Sequence, residues 1–411
     1  MFFGMSVCGH TKVIKPFEIW KKNNKKFIKI FKVLCIFAAK FKICPIKEWK
    51  RMDISQHQGR IRIKDIARLA GVSEGTVDRV IHHRGEVSAK SVEIVNEVLK
   101  ELNYSPNLFA RSLASKKHYR VVCIIPNYQA GDYWEVVNNS FDLVAQQFAD
   151  YNLFIDKKYF DQTDALSFVE TVETVFSDPP EAVILSPSFR AETLSFISKL
   201  SAHNIPFSFL NSMIEDTDFL TYYGQNLFQS GYVMAKLLLG NLPENASVLV
   251  VHTQSKQGVF ANPTTNRHEG FIHYIENQGL KDKLELIDVT LSNNDEAMNF
   301  LLLKEIFLKH DSIKAAVVFN SKAYRLASLL ETLQQTKINL FGYDLLGKNI
   351  AYLKKGVISY LIAQRPETQV YCSVQDICNK LIFKQEVTKI NYMPIDILIK
   401  ENIDYYVNFR E

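Results

Sequence analysis

The sequence lacks the marks of a secreted or membrane-spanning protein. Its six cysteines include no Cys-x-x-Cys pair and follow no disulfide framework, which is typical of a reduced, cytoplasmic protein. In residues 1–51, lysines interrupt every apolar run before it reaches the roughly 18 to 20 residues that a membrane helix needs. That stretch also has no small-residue cleavage site, so we expect no signal peptide and no membrane partner.

Two enzyme motifs begin but are not completed. Residues 342–349, GYDLLGKN, approach a phosphate-binding loop, but Asn349 replaces the Ser or Thr that would ligate magnesium. His268 and Glu269 begin a zinc-protease motif, which fails because position 272 is Ile. We therefore predict that the chain is not an enzyme and that it has no cofactor and no metal.

The charge is unevenly distributed along the chain, whose net charge is +5. Residues 1–51 carry 13 Lys and Arg against two Glu. Residues 52–118 are mildly basic and residues 119–411 are net acidic, which indicates that a polyanionic partner would contact the N-terminal part. We expect residues 1–51 to be a basic extension that is disordered or not native, with translation starting naturally at Met52. A basic amphipathic helix on a membrane surface and an additional DNA-contacting arm stay open as alternatives.

Residues 61–105 have the spacing of three short helices. Ile66, Leu69 and Ala70 recur at helical intervals and predict one buried face. Gly71 ends that helix, because glycine adopts positive φ without steric cost. Ser73 is placed to cap a second helix, and a third helical pattern begins near residue 89. Two short helices joined by a tight turn containing glycine are typical of a helix-turn-helix.

The runs AGVSEGTVDRV (residues 70–80) and LNYSPNLFARSLAS (residues 102–115) resemble the headpiece and hinge of the LacI/GalR family of bacterial repressors, without gaps over about 55 residues. The resemblance implies a DNA-binding domain at 61–105 and a hinge helix with linker at 106–118. The second helix would enter the major groove, and Leu113 would wedge into the minor groove. The implied DNA-binding residues are Lys64, Ser73, Glu74, Thr76, Arg79, His82, Ser88, Asn107, Ala110, Arg111, Leu113 and Ala114.

One departure from the family lies at the start of the second helix. Glu74 and Gly75 stand where the family usually places side chains that read bases. Gly75 has no side chain to read with, and Glu74 is suited to accept from cytosine N4. The operator sequence therefore does not carry over from any relative.

Residues 119–411 alternate between short apolar runs and amphipathic helical patterns, which predicts an α/β domain with doubly wound parallel sheets. The predicted strands are 121–126, 153–157, 182–186, 206–211, 247–252, 284–289, 315–320, 338–343 and 357–363. The predicted helices include 135–150, 165–176, 193–203, 227–239, 265–277 and 368–383. Two such sets, before and after about residue 225, predict two lobes with a cleft at the carboxyl ends of the strands.

This layout resembles the periplasmic-binding-protein-like effector and dimerisation domain of the same family. The segments that carry the resemblance are GQNLFQSG, NPTTNRHEGF, VVFNSKAYRLA and FGYDLL. The resemblance implies one lobe of about 119–224 plus 365–390, and a second of about 225–364 plus the C-terminal tail. It implies that the effector-binding residues are Tyr133, Trp134, Asn211, Arg267, Asn320, Asp344 and Gln364. Ser321 stands where the family has an Asp.

An Arg, an Asp and flanking aromatic rings suit a neutral polyhydroxylated ligand such as a sugar. Two plainer interpretations stay open: a structural ion pair between Arg267 and Asp344, and a core position for Trp134. We predict a cytoplasmic, homodimeric transcriptional repressor whose affinity for operator DNA is controlled by a small-molecule effector. The alternative is a secreted or membrane-anchored sugar-binding protein.

Overall fold

The computed structural model describes residues 62–81, 85–102, 117–253 and 262–408. The chain divides into two compact units, with the boundary after Pro106. Several predicted sites lie outside the described residues: the extension 1–51, His82, Asn107, Ala110, Arg111, Leu113 and Ala114.

The N-terminal unit consists of three helices, α1 (Ile63–Ala70), α2 (Glu74–Ile81) and α3 (Ala89–Glu101). Gly71 ends α1 with a left-handed φ of 63°. The Ser73 hydroxyl accepts from the Thr76 backbone N–H at 3.1 Å, and Ser88 caps α3 in the same way. The three predicted helices and their end signals are confirmed.

A small apolar core holds the three helices together, formed by Ile66, Ala67, Ala70, Val77, Val80 and Val95. The prediction for Leu69 is wrong, because its side chain is 56% exposed. The buried stripe of α1 runs through Ile63, Ile66, Ala67 and Ala70, a spacing that leaves Leu69 on the flank of the helix.

The second unit contains two six-stranded sheets. The first sheet has the order β2-β1-β3-β4-β5-β11 and is parallel throughout. Its strands are β1 (Tyr119–Pro126), β2 (Leu153–Phe160), β3 (Ala182–Leu185), β4 (Phe207–Leu210), β5 (Tyr222–Gly224) and β11 (Ile390–Tyr392). The second sheet has the order β7-β6-β8-β9-β10-β12, and only its edge strand β12 is antiparallel. Its strands are β6 (Ser247–Thr253), β7 (Leu286–Leu291), β8 (Ile313–Val318), β9 (Asn339–Tyr343), β10 (Ile358–Ala363) and β12 (Asp396–Leu398).

Helices follow the strands in both halves. They are α4 (Tyr133–Gln147), α5 (Ala165–Glu173), α6 (Arg190–Ala202), α7 (Leu227–Leu239), α8 (Asn262–Asn277), α9 (Glu296–Lys309), α10 (Ala323–Thr332), α11 (Gly347–Lys355), α12 (Pro366–Leu381) and α13 (Ile403–Asn408).

Both faces of each sheet are buried, which explains the near-continuous apolar strands. In β1, Val121, Cys123 and Ile125 pack on one face and Val122 and Ile124 on the other. The predicted α/β fold with doubly wound parallel sheets is confirmed. In each sheet the strand order reverses beside the first strand of its half, β1 or β6, and ligands in open α/β sheets bind at such a point.

The chain passes between the two sheets three times, after β5, after β10 and after β11. Within the second half, α7 and α8 approach so closely that two positions require glycine. A Cβ on Gly231 would lie 1.8 Å from the Arg267 carbonyl oxygen, and one on Gly270 would lie 1.9 Å from the Phe228 carbonyl oxygen. These glycines fix α8, and with it Arg267, against α7.

Candidate functional site

A cleft of about 1010 Å³ is lined by residues that follow strands of both sheets. All seven predicted effector-binding residues line it: Tyr133, Trp134, Asn211, Arg267, Asn320, Asp344 and Gln364. The fold therefore brings the predicted set together in one place, at the carboxyl ends of the strands, although the residues span more than half of the chain. Their role in binding stays a prediction.

Arg267 is the buried cation of the cleft, with only 3% of its surface exposed. Its Nη1 donates to the Phe319 carbonyl oxygen at 2.8 Å. Its guanidinium lies 4.0 Å from the centre of the Tyr343 ring, a geometry that orients a cation by its attraction to the ring face. The Tyr343 hydroxyl is in turn hydrogen-bonded to Ser230 on α7.

Asp344 is the buried carboxylate of the cleft and has a left-handed φ of 70° just after β9. Gln364 Nε2 donates to its Oδ1 at 2.6 Å. Burial raises the pKa of Asp344, and the Arg267 charge and the Gln364 hydrogen bond oppose that rise. The hydrogen-bond partners of Arg267 and Asp344 are Phe319 and Gln364 rather than each other, so the structure does not show the alternative ion pair.

Buried polar atoms on both sides of the cleft have no hydrogen-bond partner within the described protein. They are Tyr133 Oη, Asn211 Oδ1, Arg267 Nε, Arg267 Nη2 and Gln364 Oε1. Leaving such an atom unpaired costs about 1–3 kcal/mol. The arrangement offers donors and acceptors that a polar molecule in the cleft would satisfy.

Tyr133 and Trp134 begin α4 and pack edge to face, with ring centres 5.1 Å apart. Both are largely buried in the core of the first sheet and also line the cleft. The Trp134 ring therefore both packs in the core and lines the cleft, so each of the two interpretations is partly right. The burial of Tyr133 raises the pKa of its hydroxyl, which stays protonated and able to donate.

Asn320 lies on the same side of the cleft as Arg267. Its Nδ2 donates to Thr253 Oγ1 at 2.8 Å, and its Oδ1 accepts from the Lys322 backbone N–H at 2.8 Å. The neighbouring Ser321 also lines the cleft. The Asn320 side chain is therefore held by the end of β6 and by its own loop, and position 321 lacks the acidic partner of the family.

The helix-turn-helix presents a polar surface. Lys64, Ser73, Glu74, Arg79 and Ser88 are exposed, and Thr76 is half-buried with its hydroxyl 2.9 Å from that of Ser73. The apolar side chains of α2, Val77 and Val80, point into the core. The exposed side of α2 therefore does not contribute to the core, and it carries charges of both signs.

Comparisons with known proteins agree with this division. Residues 62–107 match the family model for bacterial regulatory proteins of the lacI family, and residues 121–385 match a periplasmic binding protein domain. The crystal structure described as a LacI transcriptional regulator from Bacteroides fragilis is 34% identical, with a TM-score of 0.67, covering 71% of this chain and 100% of that one. The chain belongs to the LacI family of bacterial transcriptional regulators.

Two curated relatives are named as operon repressors. The sucrose operon repressor of Staphylococcus xylosus is 25% identical over 237 residues, covering 57% of this chain and 68% of the repressor. The ribose operon repressor of Halalkalibacterium halodurans is 25% identical over 261 residues, covering 62% of this chain and 73% of the repressor.

As a LacI-family member, the chain is a DNA-binding transcriptional regulator with a ligand-binding domain of the periplasmic type. The headpiece distinguishes it from the alternative, a secreted or membrane-anchored solute-binding protein. None of the helices in the described ranges is both long and apolar enough to cross a membrane.

The structural role of Asn349, which supports loops of the cleft without lining it, was not predicted from the sequence. The side chain is fully buried, and its Nδ2 lies 2.9–3.0 Å from the carbonyl oxygens of Ser321, Tyr343 and Asp344. Its Oδ1 accepts from the Tyr324 backbone N–H at 2.8 Å. Asn349 therefore ties together the two loops that carry Ser321 and Asp344, and it fills this role where a phosphate-binding loop would have Ser or Thr.

Gln225 is the second residue that sequence analysis missed. It lies in the first crossing between the sheets, and its side-chain Nε2 donates to Ala363 O at 2.6 Å and to Pro394 O at 2.7 Å. Ala363 is the last residue of β10, where the second crossing begins, and Pro394 lies in the third crossing. One buried amide therefore joins all three segments that connect the two sheets.

Proposed function

We propose that this LacI-family regulator is a transcriptional repressor controlled by a neutral polyhydroxylated molecule, a sugar or sugar derivative, bound in the cleft. The single observation that carries the proposal is the set of unpaired buried polar atoms from both sides of the cleft, with Arg267 at its centre. The names of the sucrose and ribose operon repressors agree with a sugar.

The composition of the cleft supports a neutral ligand. The residues that line it include three acidic side chains (Asp132, Asp161, Asp344) and three basic ones (Arg267, Lys322, Arg325), so their charges balance. Eight amide side chains accompany them: Asn127, Gln129, Gln162, Asn211, Asn293, Asn294, Asn320 and Gln364. Amides both donate and accept, as hydroxyl groups do, so this lining suits several hydroxyl groups better than a phosphate or a carboxylate.

The two-lobed arrangement supplies a mechanism of control. A ligand that hydrogen-bonds to residues of both lobes favours the state in which the lobes are closed, because it makes more contacts there. The three crossing segments joined by Gln225 then act as the hinge. The change in lobe orientation is transmitted to the predicted hinge helix and linker, 106–118, and so alters the affinity for operator DNA.

On the DNA side, we propose that α2 is the recognition helix and that the protein acts as a homodimer. Two headpieces would read half-sites about one helical turn apart (~10 bp). Exposed apolar side chains on α4 and β2, Leu143 and Phe154, offer surface for a partner copy.

Leu113→Ala should weaken operator binding more than binding to random DNA, because a wedge contributes only where the DNA bends. Equal losses in a salt-matched anisotropy assay would rule out that role.

The same proposal makes the chain a regulator acting in the cytoplasm and not an enzyme. The residue that breaks the phosphate-loop motif, Asn349, is used for structure. The relatives named above are regulators. The described cysteines, Cys123, Cys372 and Cys378, are free, which suits a reducing compartment.

The test is thermal unfolding of the full chain with a panel of sugars, sugar acids, sugar phosphates and nucleosides. A ligand at 100 times its Kd should add about 2.7 kcal/mol to the free energy of unfolding. We expect a neutral sugar to stabilise the wild type, and Asn211→Ala to reduce the effect. Stabilisation by sugar phosphates alone would contradict the neutral-ligand proposal.

A further inference from the structure

Three side chains able to ligate metal ions meet on the second sheet, outside the cleft. They are His252 on β6, His268 on α8 and Asp288 on β7. One ligand atom from each of them lies within 4.8 Å of the other two. None of the three lines the cleft described above, and the proposed function uses none of them.

The fold places these residues together by strand register. In the parallel pair β6–β7, Val250 pairs with Asp288 and His252 with Thr290. Paired residues of a sheet point to the same face, so His252 and Asp288 lie on one face, where α8 covers the neighbouring strand residues. His252 Nε2 lies 2.7 Å from Asp288 Oδ1. The His252 and His268 rings are 5.3 Å apart between centres, with 72° between their planes.

We propose that His252, His268 and Asp288 bind one divalent transition-metal ion of the zinc type. Two imidazole nitrogens with one carboxylate oxygen form a donor set that suits zinc and its neighbours, whereas magnesium and calcium prefer oxygen alone. Metal–ligand distances of about 2.0–2.2 Å place tetrahedral ligand atoms roughly 3.3 Å apart. The three atoms already lie within 4.8 Å of one another, and we infer that side-chain rotation closes the remaining gap.

Exposure of the three groups also fits an ion site. Asp288 has 63% of its side chain exposed, whereas that of His252 is 15% exposed, so an ion enters from solvent at the carboxylate and meets the imidazoles behind it. Three protein ligands leave a fourth position for water or an exogenous group.

The site adjoins the residue that anchors the cleft. His268 follows Arg267 on α8, and its ring lies 5.5 Å from that of Phe319, whose carbonyl accepts from Arg267. A bound ion would therefore fix the beginning of α8 to β6 and β7. This inference stands apart from the identity of the effector, because it rests on the three ligands alone.

The experiment measures metal binding by the full chain, stripped with EDTA and titrated with Co²⁺ and then Zn²⁺. Three ligand variants are compared with the wild type: His252→Asn, His268→Gln and Asp288→Asn. His310→Gln is the matched control, because His310 forms a similar pair with Glu285, at 3.4 Å, that no third metal-ligating side chain joins within the described residues.

Cysteines and other histidines of the full chain can also bind metal, so the readout is the difference between variants. We expect each ligand variant to bind one ion fewer per chain, or to bind it at least ~10-fold more weakly. The control should match the wild type. Equal metal content and affinity in all five proteins would overturn the proposal, as would a loss confined to a single ligand variant.

Zn²⁺-dependent stabilisation gives a second readout that does not depend on stoichiometry. The unfolding temperature of the wild type and of His310→Gln should rise with Zn²⁺, and that of the ligand variants should rise less. Circular dichroism before titration shows whether each variant is folded. A folded Asp288→Asn variant with the full Zn²⁺ response would refute the site.

Discussion

Gln225 is the residue whose replacement tests the hinge most sharply. Its amide is buried, and it donates to Ala363 O and Pro394 O at 2.6 and 2.7 Å. Gln225→Met keeps the length of the side chain and removes both donors. The Ala363 carbonyl then stays buried without that partner, at about 1–3 kcal/mol, whereas Pro394 is exposed, so water replaces the lost donor there. The same change removes Gln225 Oε1, which has no partner within the described residues, and this offsets part of the loss.

The net expectation is a loss of about 1–3 kcal/mol in the free energy of unfolding. Urea unfolding followed by circular dichroism measures it, with Gln229→Met as the control. Gln229 lies four residues further on, and its side chain is exposed, so its replacement should change stability by less than about 0.5 kcal/mol. If the two variants have equal stability, Gln225 does not join the three crossings in the way described.

Three further predictions concern the cleft. Asp344→Asn should raise the unfolding temperature of the ligand-free protein at neutral pH, because burial raises the pKa of Asp344 and ionisation therefore favours the unfolded chain. This advantage should shrink as the pH falls toward the ordinary value of 3.8; an advantage that grows on acidification would reverse the sign of the argument. Gly231→Ala should lower the free energy of unfolding in urea by about 1–3 kcal/mol, because the added methyl group clashes with the Arg267 backbone. Gly347→Ala is the control, because a methyl group there meets open space. Equal losses in the two variants would show that α7 and α8 are not in close contact at Gly231. Arg267→Ala should weaken binding of the stabilising sugar ~10- to 100-fold in calorimetry and leave operator affinity intact, and unchanged sugar affinity would move the binding site elsewhere.

The sequence predicts most of the fold because the signals involved are local. Continuous apolar runs mark strands buried on both faces, and α7 begins and ends at the predicted residues, 227 and 239. The three-residue strands β5, β11 and β12 were not predicted. Strands of this length have no measurable periodicity, and Ile390 and Tyr392 of β11 are exposed, so only pairing with a neighbour defines them.

In the cleft, too, residues that stand in local sequence motifs could be predicted, whereas contacts between distant parts of the chain could not. Arg267 and Asp344 stand in motifs that resemble a known family, and the fold brings them into one cleft. Gln225 stands in such a motif as well, but its partners are 138 and 169 residues away in the chain, and no spacing rule connects them. In the sequence, Asn349 stood out only as the residue that breaks a phosphate-binding motif. Its four hydrogen bonds could not be predicted, because they form only when the loops after β8 and β9 meet.

A sugar bound in the cleft is expected to change the affinity of the headpiece for DNA. The most direct measurement is the Kd of the full chain for an operator fragment, selected by the protein from a random double-stranded pool, with and without the sugar that stabilises it. We expect the Kd to change by at least about fivefold at fixed salt in the wild type and to stay unchanged in Arg267→Ala. An operator Kd that stays the same while the wild-type cleft is saturated would contradict it.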